Sequence, residues 1–176
     1  MSQLIVLSAV GTDRTGIVQQ ITKVILDCGG NIEESRMTAL GAEFAMLMLV
    51  SGNWHTLGKL ESGLDKLTED GSLTISLKKT GQAANKEDCM PYGVDVVCLD
   101  HPGVVFGLAD FFAARAIEIG DLVTRRYPAA HTGAPMFAVQ MTINVPGSMI
   151  LSQLRDEFLE YCDRENLDSI LEPLKV

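Results

Sequence analysis

The feature that most narrows the possible fold is an internal repeat. Asp13-Arg14-Thr15-Gly16-Ile17-Val18 returns roughly half the chain later as Asp100-His101-Pro102-Gly103-Val104-Val105. Each copy directly follows an apolar run, Leu4 to Val10 and then Val94 to Leu99. The correspondence continues with Phe44-Ala45 against Phe137-Ala138, and with Leu57, Leu60 and Leu64 against Leu151, Leu154 and Phe158. An insertion near Pro128 to Pro135 accounts for the drift in spacing. Self-similarity of this kind means two copies of one supersecondary unit.

Periodicity gives the content of each copy. Ile17, Ile21, Val24, Ile25 and Cys28 follow a helical rhythm, and Gly29-Gly30 stops it where a C-cap belongs. Asn31 opens a polar strand that turns near Gly41, and Phe44 to Val50 is an apolar strand. Trp54 to Leu67 is an amphipathic helix, and Leu73, Ile75 and Leu77 alternate with polar residues in a closing strand. Right-handed crossovers sharing one sheet then predict an α+β fold: two tandem ferredoxin-like βαββαβ modules, each an antiparallel sheet with helices on one face. The most apolar strands, the first and third, belong in the middle. The expected limits are residues 1–80 for the first module, 81–91 for a polar linker and 92–176 for a degenerate second module.

Charge excludes a class of partner. The chain carries a net charge of −9 with a pI near 4.7, and its densest basic runs are only Lys78-Lys79 and Arg125-Arg126. A protein that binds DNA directly neutralises phosphates with clustered Lys and Arg, so no direct nucleic-acid contact is expected. The N-terminal MSQLIVLSAVGTDR lacks a basic n-region and a cleavage site, which predicts a cytoplasmic protein with no membrane segment. Cys28, Cys89, Cys98 and Cys162 are irregularly spaced, predicting free thiols and neither a metal site nor a disulfide.

Catalysis needs a nucleophile, a positioned acid or base, or a metal. His55, His101 and His131 are far apart, and no GxSxG, HExxH or P-loop pattern occurs. The expectation is a protein that is not an enzyme and uses no cofactor. The repeated turn is the better candidate. A helix N-terminus presents unpaired N–H groups and a positive dipole end, and Gly16 or Gly103 lets a carboxylate approach the backbone. Asp13 or Asp100 can meet an ammonium, so the turn suits both ends of a zwitterion. Asn31 is expected at the same end of the sheet, where its amide can donate and accept. The competing reading is purely structural: Asp13 bracing its own turn and Gly16 allowing tight packing.

GTDRTGIVQQIT followed by CGGNIEESRMTALGAEFAMLMLVSGNW resembles the first module of the glycine cleavage system transcriptional repressor family, a tandem ACT-domain family. The likeness covers about the first 54 residues and includes GTDR-x-GIV, NIE-x-SRM, LG-x-EF and SG-x-W in order. Thr15 departs from the Pro usual in that family, which leaves the helix start less rigidly preset. The resemblance implies a regulator without a DNA-binding domain. It would repress glycine cleavage genes by binding a LysR-type transcriptional activator under control of an amino acid, with glycine the suspected ligand. ACT domains generally bind amino acids where one module's first turn meets another module's second strand, so a homodimer is possible.

The positions carried over by the resemblance are Asp13, Arg14, Gly16, Ile17, Asn31 and Ile32. A possible second site would use Asp100, His101, Gly103, Val104 and Glu118, with Glu118 standing where Asn31 would fall. The alternative reading is a detached ACT-domain sensor that regulates a metabolic enzyme.

Overall fold

The computed structural model describes residues 3–82 and 88–174 and divides the chain into two compact units, Met1–Ala84 and Asn85–Val176. The first contains β1 (Gln3–Thr12), α1 (Ile17–Asp27), β2 (Asn31–Leu40), β3 (Glu43–Gly52), α2 (Trp54–Thr68) and β4 (Leu73–Thr80). The second repeats the order with β5 (Cys89–Leu99), α3 (Val104–Ala113), β6 (Glu118–Pro128), β7 (Pro135–Pro146), α4 (Leu151–Glu165) and β8 (Asp168–Pro173). The sheets run β2-β3-β1-β4 and β6-β7-β5-β8, and every pairing is antiparallel. These are the two ferredoxin-like modules expected from the repeat, with the first and third strands central.

Strand alternation decides what each sheet buries. In the first unit Ile5, Leu7 and Ala9 of β1 and Phe44, Met46, Met48 and Val50 of β3 form one core with Ile17, Ile21 and Ile25 of α1 and Leu57, Leu60 and Leu64 of α2. Fully burying one such side chain stabilises by about 1.5 to 3 kcal/mol. The opposite face carries no helix of this unit, so the apolar runs in β1 and β3 are only half covered: Val10 is 50% exposed and Leu47 49%. All ten residues of the edge strand β2 are exposed. The helix stops follow the sequence closely. Asn53 caps α2, its side-chain oxygen accepting from the N–H groups of His55 at 2.9 Å and Thr56 at 3.0 Å.

The expected linker, residues 81–91, is shorter than its sequence suggests. Residues 83–87 lie outside the described residues, and Cys89, Met90 and Pro91 already belong to β5, where Pro91 pairs with Asn144 of β7. A proline in a central strand argues against strand unless its missing N–H faces no ladder partner. Here the Pro91 carbonyl accepts from Leu174 N–H at 3.1 Å. The residue's polar groups therefore point to the β8 side, beyond the last paired residues, and the β5–β7 ladder loses nothing.

The second unit has an aromatic core. Phe112 meets Phe111 edge-on at 5.2 Å and Phe158 at 5.4 Å, centroid to centroid. Just past the end of α3, Arg115 donates from Nε to Glu157 Oε2 at 2.9 Å and from Nη1 to the Phe111 carbonyl at 2.9 Å, with its guanidinium 3.7 Å above the Phe111 ring. Hydrogen bonds from Gln153 and then Arg115 hold the Glu157 carboxyl below its ordinary value of 4.5. A lowered folded-state pKa gives stability that is present above 4.5 and lost as pH falls through the folded value. Glu157→Gln is therefore expected to be less stable than the parent at neutral pH, with the gap closing below 4.5. Urea midpoints measured across that range check this.

Candidate functional site

The repeated turn is built the same way in both units. Gly16, at φ 90°, and Gly103, at φ 99°, sit at the N-caps of α1 and α3, and neither helix start has a side-chain cap. A Cβ on either glycine would meet nothing within 4 Å. The glycine is thus required by backbone conformation and not by space. Gly16→Ala is expected to cost about 1 to 2 kcal/mol, the left-handed penalty for an L-residue, without a steric clash. Chemical denaturation of the variant measures it.

Around the first turn, Asp13 N–H donates to the Ala42 carbonyl at 3.0 Å and Thr12 N–H to the Ser72 carbonyl at 3.1 Å. These bonds pin the turn between the β2–β3 hairpin and the turn that leads into β4. Asp70 closes that second turn on Ser72, whose hydroxyl and N–H hydrogen bonds hold the Asp70 carboxyl below its usual range. Arg14 Nη2 donates to Gln20 Oε1 at 2.8 Å, and the Asp13 carboxylate is exposed with no partner among the described residues. Ile17 is 3% exposed, so its side chain belongs to the core and only its backbone faces the turn.

The expectation that Asn31 lies at this same end is overturned. Gln3 pairs with Gly52 and Asn31 with Ser51, while Thr12 and Leu40 both pair with Glu43. β1 and β2 are separated by one antiparallel strand and so run in the same direction. The start of β2 therefore sits at the opposite end of the sheet from the end of β1, about 30 Å away for ten residues at strand rise. The structure brings Asp13, Arg14, Gly16 and Ile17 together and sets Asn31 and Ile32 apart from them. All six lie in the first unit, so a single small ligand held within it cannot touch both groups.

The second turn repeats the pattern and closes it. Asp100 Oδ2 pairs with Arg126 Nε at 2.7 Å, so the carboxylate expected to meet an ammonium already has a cation. His101 Nδ1 lies 3.1 Å from the Pro102 carbonyl, and Val104 is 4% exposed. Glu118 pairs with Asn144 at the far end of the sheet, as Asn31 does in the first unit. The carboxylate at this turn is thus paired where that of Asp13 is not. Burial raises the thiols of Cys98 and Cys162, which keeps both protonated and unreactive.

Asn31 is engaged elsewhere. Its amide donates to Glu33 Oε1 at 3.0 Å, and the Ser51 hydroxyl donates to the same oxygen. Sequence reasoning missed Glu33, because its partner Ser51 lies on the neighbouring strand and no local residue pattern announces the contact.

An ACT domain family model matches residues 3–78. The glycine cleavage system transcriptional repressor of Escherichia coli (strain K12) is 34% identical over 164 residues, covering 92% of this chain and 85% of that protein. The chain belongs to the glycine cleavage system transcriptional repressor family. A crystal structure that carries the provisional name of glycine cleavage system transcriptional repressor agrees with a TM-score of 0.77 at 28% identity, covering 100% of this chain and 99% of the other. An unknown protein from Galdieria sulphuraria agrees with a TM-score of 0.82 at 26% identity, covering 99% of this chain and 100% of the other. Membership in the repressor family brings a regulatory role, and both full-length likenesses show that the tandem architecture goes with it.

Proposed function

We propose that this protein is a cytoplasmic, amino-acid-responsive repressor of glycine cleavage genes that acts by binding a LysR-type activator and not DNA. The observation that carries this is the 34% identity to a named repressor along 92% of the chain. The net charge of −9 supports the protein route, because phosphate neutralisation needs clustered cations. No helix among the described residues is long and apolar enough to cross a membrane.

Glycine is the proposed ligand, with Asp13 its ammonium acceptor and the backbone around Gly16 its carboxylate donor. Five heavy atoms at about −1.5 kcal/mol each limit glycine to a dissociation constant no tighter than a few micromolar. Control requires unequal ligand affinity for the free and activator-bound protein, and a coupling of about 1 to 3 kcal/mol changes activator affinity roughly 5- to 150-fold. The test is a gel-shift and pull-down series with a purified LysR-type activator, its promoter duplex and glycine. The repressor alone is expected to leave the duplex unshifted, to bind the activator, and to change that binding when glycine is added. Asp13→Ala is expected to keep activator binding and lose the glycine response. A repressor that shifts the duplex by itself, or a variant with an intact glycine response, overturns this reading.

A further inference from the structure

The open face of the first sheet carries a second feature, at the end of the sheet remote from the Asp13 turn. A cleft of about 730 Å³ lies there, with Leu4 and Leu49 as its apolar floor and Glu33, Ser51 and Thr80 among its polar walls. Register explains the grouping. Leu4 pairs with Ser51 on one side and Thr80 on the other, and Glu34 pairs with Leu49, so these residues share the face away from the helices. Alternation puts Asn31 and Glu33 on that face as well, where the Ser51 hydroxyl reaches Glu33, and the bulge then brings Glu34 onto the same face.

The carboxylate is set up asymmetrically. Oε1 accepts from Asn31 Nδ2 at 3.0 Å and from the Ser51 hydroxyl, while Oε2 has no partner among the described residues. Two neutral donors fix the group without neutralising it, and the same hydrogen bonds, Ser51 first, hold its pKa below the ordinary carboxylate value. Neighbouring Glu34 is turned to Arg36, at 3.4 Å. The second unit keeps the bulge, between Ile119 and Asp121, but places Gly120 where the first has Glu33. A bulge that only bent the edge strand would need no carboxylate, as the second copy shows.

We propose that this cleft binds a primary ammonium group carried on a short apolar chain, with Glu33 Oε2 as the acceptor and Leu4 and Leu49 as the apolar contact. The site is independent of the Asp13 turn and of glycine control, so either can fail without the other. Its volume lies within the usual range of small-ligand sites, and an apolar floor with a few placed polar and charged groups, here the Glu33 carboxylate with Lys79 also in the lining, is the usual composition of such sites.

The probe is isobutylamine, with isobutanol as its uncharged counterpart, titrated at constant ionic strength into the ¹⁵N-labelled full-length protein. Isobutylamine is expected to shift the amides of Leu4, Glu33, Leu49, Ser51 and Thr80 saturably, with a dissociation constant on the order of millimolar, while leaving Gly120 and Asn144 unmoved. Glu33→Gln and the isobutanol probe should each weaken binding at least about tenfold, and Ser51→Ala by a few fold, since Oε1 loses one anchor. Asp13→Ala should leave the amine titration unchanged. The spectra report the folding of each variant, and if Glu33→Gln disturbs the fold, the isobutanol and Ser51→Ala arms decide. Equal binding of amine and alcohol, shifts outside the cleft, or amine affinity untouched by the Glu33 and Ser51 substitutions overturns the proposal.

Discussion

Phe112→Ala is expected to destabilise the second unit by about 3 to 5 kcal/mol. Phe112 is fully buried at 0% exposure, as is Phe158, and the two rings pack at 5.4 Å. Phe111 closes the cluster edge-on and is itself held under the Arg115 guanidinium. Truncation removes the transfer energy of one ring and leaves a cavity that neighbours fixed on α4 and the sheet cannot fill. Single-domain stabilities run about 5 to 15 kcal/mol, so a loss of this size removes about a fifth or more of the total. Amide hydrogen exchange in β5 and β7 is the direct measurement. Protection there should fall by about two to three and a half orders of magnitude at the expected loss, with each factor of ten worth about 1.4 kcal/mol. A change under 1 kcal/mol would mean that α3 repacks around the gap.

The second large effect is expected at Gly11, where Ala should cost about 3 kcal/mol, the upper end of ordinary overpacking. A Cβ there would overlap the Ser72 carbonyl oxygen and approach the Leu73 Cα to 2.9 Å, both of them backbone. Backbone cannot step aside as a side-chain tip can. The Ser72 carbonyl also accepts from Thr12 N–H, one residue along the same strand, so any retreat breaks a bond at the base of the Asp13 turn. The substitution is therefore expected to lower both the unfolding midpoint of the first unit and its affinity for a ligand at that turn. Thermal unfolding followed through Trp54, the single tryptophan of the chain, reads the first effect. Calorimetry with glycine reads the second.

Much of the architecture is legible because it rests on short-range physics. The helical rhythm of Ile17, Ile21 and Ile25 reappears as the buried face of α1, and Gly29-Gly30 ends that helix with Gly29 at φ 75°. The order of strands in each sheet follows from handedness and from which runs are most apolar. What sequence misplaced was Asn31, and the reason is directional. Asn31 follows the first helix closely in the chain, but the crossover carries the chain back along the sheet before β2 begins, which puts it beside Ser51 and not beside Asp13. Glu33 was hidden for a different reason. What fixes its carboxylate is Ser51 on the neighbouring strand, and periodicity reads NIEESRMT only as a polar strand. The Asp100–Arg126 pair was equally invisible, because one partner sits in the turn after β5 and the other on β6.

The wholly exposed β2 has a consequence for how the protein behaves when concentrated. An edge strand with free N–H and C=O groups is a template on which a neighbouring molecule can add its own strand, the first step toward fibrillar growth. β2 has apolar residues that would favour this, with Met37 58% and Leu40 71% exposed. The Ile32–Glu34 bulge breaks the register that an incoming strand would have to follow, and Glu33, Glu34 and Arg36 place charge in its path. A break in the ladder thus guards the edge of the sheet against polymer growth.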